Sequence, residues 1–178
     1  MTGLAAFTVL VALVALERLA ELVVSNRNAA WSFARGGRET GRGHYPVMVA
    51  LHSGFLVAML VEVWVRRPDV PSVLAWTMLA LVVTSQALRW WCIATLGRRW
   101  NTRVIIVPGL PPVTAGPYRF LSHPNYVAVV VEGVALPLVH AAWITALVFT
   151  VANAALLTVR IRVENAALRT LPGRFADA

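Results

Sequence analysis

The chain has 178 residues, 58% of them hydrophobic, with sixteen basic residues (all arginine), eight acids and a net charge of +8. A mean hydropathy of +0.68 is that of an integral membrane protein and leaves no room for a sizeable soluble domain. The arginines concentrate between apolar stretches, as the positive-inside rule requires, and no basic helix or stacking platform points to nucleic acid.

A membrane span needs about 20 mostly apolar residues, and five candidates follow along the chain. The first, Gly3–Val24, lacks a basic segment before it and a cleavage site after it, so it reads as a span and not as a signal peptide. Glu17 and Glu21 share one of its faces, and Arg89 of the third span is a natural bridge to either. Residues 26–45 form a Gly/Arg-rich loop, mobile or lying on the headgroups. The second span is Pro46–Val65, with Glu62 near its outer end and expected to snorkel. The third is Ser72–Leu96, with Cys92 as a buried structural thiol. One cysteine permits neither an intrachain disulfide nor a cysteine-based metal cluster, and no metal site is expected. The fourth, Pro124–Leu138, is short. It turns through Pro137-Leu138-Val139-His140-Ala141 into the fifth, Ala142–Val159, as a helical hairpin. The expected fold is thus an all-α polytopic membrane bundle of about five transmembrane helices ending in that hairpin. It forms a single domain over 1–178, with N-terminal spans over 1–70.

Arginine counts set the topology. The loops after spans one and three and the tail (Arg160, Arg162, Arg169, Arg174) are the basic ones, which puts the N-terminus outside and these segments in the cytoplasm. Trp31, Trp64, Trp76, Trp100 and Trp143 fall near span ends and read as interfacial aromatics.

The chemistry concentrates in Gly116-Pro117-Tyr118 and Ser122-His123-Pro124-Asn125-Tyr126. Ser122 and Pro124 read as the cap and first turn of a helix, whose free N–H groups suit an anionic ligand group. Glu132 lies two turns beyond Asn125 on the same face and, inside an apolar run, needs a partner or a proton. Arg160 and Glu164 are spaced for an i,i+4 pair. The topology places the Arg-x-Arg-x-Glu segment beside the His-Pro segment, on the cytoplasmic side.

Together, Leu96-Gly97-Arg98-Arg99-Trp100-Asn101, Pro108-Gly109, Gly116-Pro117-Tyr118, His123-Pro124-Asn125-Tyr126 and Arg160-Ile161-Arg162-Val163-Glu164 with Leu168 resemble the isoprenylcysteine carboxyl methyltransferase family. The resemblance runs over about residues 75–170, in order and with the family's spacing. It implies a membrane-embedded methyltransferase using S-adenosylmethionine and releasing S-adenosylhomocysteine, without the soluble dinucleotide fingerprint. The acceptor would be a small lipophilic molecule reaching the methyl from the lipid side, with no obligate protein partner. The implied cofactor contacts are Trp100, Gly116, Tyr118, Ser122, His123, Pro124, Asn125, Tyr126, Arg162 and Glu164, with aromatic rings facing the sulfonium. His123, Glu132 and Asn125 are the implied catalytic groups. Ser122 stands where carboxyl-methylating members commonly carry Arg, and Asn165 where they often carry a second Glu. O-methylation of a carboxyl or of a phenolic hydroxyl is therefore expected, the phenol needing His123 or Glu132 as base. A phospholipid N-methyltransferase, an NADPH-dependent membrane reductase using Arg98-Arg99, and a non-catalytic lipid-binding scaffold are the alternatives. The expected location is a bacterial inner membrane, with the site facing the cytoplasm.

Overall fold

Apolar residues dominate every long segment, and in lipid such segments close their backbone hydrogen bonds internally as helices. The computed structural model describes residues 2–169. The distal tail, Arg174 included, lies outside them. Five helices form an all-α bundle: α1 (Thr2–Phe33), α2 (His44–Arg66), α3 (Ser72–Leu96), α4 (Pro124–Leu138) and α5 (Trp143–Leu168). Among the described residues, three helical stretches are long and apolar enough to cross a membrane: His44–Arg66, Ser72–Arg99 and Trp143–Leu168. α4 is the short apolar helix of the hairpin, with 15 residues. The bundle's outer surface is apolar, as lipid contact demands, with Val9, Leu13 and Leu16 of α1 and Leu147, Val148 and Val151 of α5 all exposed.

Local chemistry ends each helix. Arg67 takes a left-handed conformation after α2, with its N–H on the Val63 carbonyl, ahead of Pro68. Gly97, at φ 53°, turns the chain out of α3. The hairpin turn is closed by Ala141 at φ 52° and by the Ala142 N–H on the Pro137 carbonyl at 2.9 Å.

The core joins Phe7 and Val11 of α1 to Met59 and Val63 of α2, Leu136 of α4 and Phe149 of α5. Phe55 and Phe149 stack with ring centres 4.0 Å apart. Gly133 of α4 lies directly under the Phe149 ring, so a side chain there would collide with it.

Three expectations change. Residues 26–45 are an ordered element and not a free loop: α1 continues to Phe33, and β1 (Arg38–Thr40) pairs antiparallel with β2 (Val104–Ile106), Glu39 opposite Ile105. Isolated three-residue strands carry too weak a pattern to be read from sequence; this ladder exists because its partner lies 66 residues away. Glu62 does not snorkel. It is 9% exposed and accepts the backbone N–H groups of Ile144 (3.1 Å) and Thr145 (2.7 Å) and the Thr145 hydroxyl, satisfying the otherwise unpaired start of α5. Trp100 is no belt residue: it is 2% exposed, whereas Trp64, Trp76 and Trp143 are each at least half exposed.

Candidate functional site

The polar segments converge where α4 begins and α5 ends. His123 and Tyr126, three residues apart around the first turn of α4, stack with ring centres 5.4 Å apart. The Tyr126 hydroxyl donates to Glu164 Oε2 and accepts from Arg160 Nε at 2.9 Å. The same guanidinium donates to the Thr102 carbonyl and reaches Met48 Sδ of α2. His123 Nε2 lies 2.9 Å from Asn165 Oδ1, and its Nδ1 lies 3.7 Å from Glu164 Oε1. Arg160 and Glu164 therefore do not pair directly as their spacing suggests; they meet through the Tyr126 hydroxyl.

This cluster borders a cavity of about 710 Å³ whose lining includes Trp100, Arg103, Tyr118, Asn125, Glu164 and Asn165. That is the size of a pocket for a drug-sized organic ligand. A second, apolar groove of about 360 Å³ runs between α4 and α5, lined by Leu121, Val127, Val130, Val131, Leu157 and Ile161. Ser122, His123 and Tyr126 line both spaces and form the wall between them.

Of the residues expected at the site, Trp100, Tyr118, Ser122, His123, Asn125, Tyr126 and Glu164 line the cavity. Gly116 and Pro124 lie outside the lining. Gly116, at φ 55°, lies so close to the Thr95 side chain that a Cβ would collide, and buried Pro124 starts α4. Ser122 does not cap that helix; His123 occupies the cap position and no side chain bonds there. Arg162 is exposed and outside the lining, while Arg160 is the buried cation of the cluster. Residues two apart on a helix point about 200° away from each other, and only one can face inward. Glu132 also lies outside the lining: it is 8% exposed and sits 3.8 Å from Arg18 of α1. Arg160, Asn165 and Arg103 are cavity residues that were not singled out as ligand contacts. Arg160 belongs to the Arg-x-Arg-x-Glu segment and Asn165 follows it directly, whereas nothing in the sequence tied Arg103 to a ligand.

Burial pushes the Tyr118 phenol above its ordinary value, and neighbouring Cys92 adds to the shift, so Tyr118 stays a neutral hydroxyl. Two cavity residues carry buried polar atoms without a partner, the Trp100 indole N–H and Asn125 Oδ1. Leaving such groups unpaired costs about 1–3 kcal/mol each. An unpaired donor and an unpaired acceptor, a carboxylate, an amide and aromatic rings suit an organic ligand that carries both polar and aromatic parts.

The isoprenylcysteine carboxyl methyltransferase (ICMT) family pattern matches residues 78–170. A bacterial protein, the uncharacterized YpbQ of Bacillus subtilis (strain 168), is 37% identical over 164 residues, covering 92% of this chain and 96% of its own length. This chain belongs to the isoprenylcysteine carboxyl methyltransferase family. Membership makes it an integral membrane methyltransferase. No solved structure matches it. The family match contains both halves of the cluster, His123 and Tyr126 on α4 and Arg160, Glu164 and Asn165 on α5, and excludes α1 and α2.

Proposed function

We propose that this methyltransferase uses S-adenosylmethionine to O-methylate a small lipophilic acceptor at the cytoplasmic face of the membrane. The observation that carries the reading is the wall of Ser122, His123 and Tyr126, with a cavity of mixed polar and apolar lining on one side and an apolar groove on the other. A water-soluble cofactor and a lipid-soluble acceptor need such a shared boundary, and methyl transfer depends largely on holding the two in line.

Glu164, Asn165 and Asn125 would hold the amino and hydroxyl groups of the cofactor. Trp100, Tyr118 and Tyr126 would place aromatic surface against its positive charge. The cofactor supplies an activated methyl on a sulfonium and leaves as S-adenosylhomocysteine. The Tyr126 hydroxyl is committed to Glu164 and Arg160. With its Nε2 on Asn165 Oδ1, His123 keeps Nδ1 as the basic nitrogen of the wall. It takes the acceptor's proton, and the nearby Glu164 carboxylate stabilises the resulting imidazolium. Among the described residues the groove lining holds no arginine, so an acceptor carboxylate there would lack a bidentate partner from them. That favours a hydroxyl, such as a phenol, over a carboxyl.

The test is purified protein in lipid with radiolabelled S-adenosylmethionine and a lipid extract, followed by mild alkali. Base-stable label in the lipid fraction, with an ether among the products, is the expected result. Base-labile label identifies a methyl ester, and labelled phospholipid headgroups an N-methyltransferase. His123→Ala and Glu164→Ala should each weaken S-adenosylhomocysteine binding at least about tenfold by calorimetry, the scale of a charge-assisted hydrogen bond; unchanged affinity in both would refute the cofactor assignment.

A further inference from the structure

The last turns of α1 have an unusual face for a helix in an apolar bundle. Ser25, Asn28 and Ser32 are 1%, 8% and 3% exposed. All three are polar, and two of them bond to one loop. The Asn28 amide donates to the carbonyls of Trp100 (2.7 Å) and Gly97 (3.2 Å). The Ser25 hydroxyl lies 2.9 Å from Asn101 Oδ1 and 2.8 Å from Thr102 Oγ1, and accepts the Thr102 N–H at 3.0 Å. The Asn101 amide returns a bond to the Ser25 carbonyl at 3.1 Å. Ser32 is itself a lining residue of the large cavity.

The loop so held, residues 97–103, supplies Arg99, Trp100, Asn101 and Arg103 to the cavity wall. From the opposite side it is held by Arg160, through the Thr102 carbonyl. The loop has only a three-residue 3-10 turn of its own, Gly97–Arg99. Its remaining backbone groups need partners from elsewhere, and buried ones left unpaired are costly.

We infer that Ser25 and Asn28 are positioning residues for the cofactor site, fixing the 97–103 wall from a helix outside the family-matched region. The inference rests on the proposed cofactor reading. α1 then completes the site as well as filling the bundle: the matched core, residues 78–170, lacks the partner that sets Trp100.

Asn28→Ala and Ser25→Ala, each in the full chain in lipid, test this through calorimetric titration with S-adenosylhomocysteine. The titration separates two quantities: Kd reports the shape of the site, and stoichiometry reports the folded fraction. A positioning role raises Kd about fivefold or more at unchanged stoichiometry, as expected for losing one to two hydrogen bonds. Asn28→Gln, which keeps the amide donor, should recover part of the affinity. A role in bundle stability alone would lower stoichiometry and leave Kd unchanged, which would overturn the inference. Should Asn28→Ala not fold, Ser25→Ala decides by the same criterion. Wild-type protein that binds no S-adenosylhomocysteine would instead remove the cofactor reading, and the inference with it. Wild-type binding with unaltered variants removes the inference alone.

Discussion

Arg160 and Arg162 stand two residues apart on α5 and meet different surroundings. The Arg160 side chain threads between α2, α4 and the 97–103 loop, bonding the Tyr126 hydroxyl, the Thr102 carbonyl and Met48. Arg162 faces outward. Removing a buried cation with such bonds costs about 1.5–3 kcal/mol for each charge-assisted partner lost, whereas an exposed substitution stays within about 0.5 kcal/mol. Arg160→Ala should therefore lower the unfolding midpoint in mixed micelles clearly, with Arg162→Ala close to wild type. The reverse order would mean that the cluster around Tyr126 does not hold the site together. The six residues from Arg160 to Asn165 thus divide by direction: Arg160, Glu164 and Asn165 line the cavity, Ile161 lines the groove, and Arg162 is exposed.

At the level of elements, the hairpin of α4 and α5 depends on a carboxylate from another helix. α5 begins without a side-chain cap of its own after Ala142, and Glu62 of α2 takes over by accepting from the Ile144 and Thr145 N–H groups. Arg66, one turn on, holds that carboxylate at 2.7 Å. Loss of an N-cap costs about 0.5–2 kcal/mol. Glu62→Ala should destabilise by that amount in thermal melts while leaving S-adenosylhomocysteine affinity unchanged, because the start of α5 lies at the far end of the helix from Glu164. The two-stranded ladder has a related function at the other end. By pairing Arg38–Thr40 with Val104–Ile106 it anchors the α1–α2 connection to the segment that runs along the cavity through Val107.

Across the whole molecule, the ionisable groups inside the bundle tie α1 to α3 and α4. Arg89 makes a bidentate pair with Glu21 at 2.6 and 2.7 Å, Glu17 accepts from Trp90 at 2.6 Å and from Gln86, and Arg18 lies between Glu17, Glu21 and Glu132. Breaking one member of a buried pair costs about 3–5 kcal/mol, while replacing both by apolar residues of similar size is often near neutral. Arg89→Met should destabilise strongly and Glu21→Leu/Arg89→Met much less, measured by unfolding in mixed micelles; equal losses would mean that Glu21 has other partners strong enough to hold it. Glu132 belongs to this network by its contact with Arg18, so a Glu132→Gln variant speaks to stability before catalysis. The proposed orientation is tested at the same scale in a cysteine-free background. Cysteine at Asp69 should react with an impermeant maleimide in intact cells, and cysteine at Arg119 only after permeabilisation.

The apolar pattern determined the helical bundle, because in lipid a long apolar segment has no other way to satisfy its backbone. Ser72–Leu96 and Pro124–Leu138 were legible to the residue, since Pro71, Gly97, Pro124 and the turn after Pro137 bound them. Part of the cavity lining was legible too, because His123, Asn125 and Tyr126 are polar residues opening an apolar run, and Glu164 of the Arg-x-Arg-x-Glu segment meets them at the same end of the bundle. That Arg89 pairs with an acid of α1 followed from the rule that an intramembrane charge needs an opposite one, and the structure chose Glu21 over Glu17. Only the tertiary structure decided which of Arg160 and Arg162 turns inward, that Glu132 answers Arg18 and not the cavity, that Glu62 caps a helix 82 residues later, and that Trp100 is buried under Asn28. Each of these depends on a partner distant in the chain, and the choice between two chemically equal residues is made by the rotation of one helix against its neighbours, which no local pattern encodes.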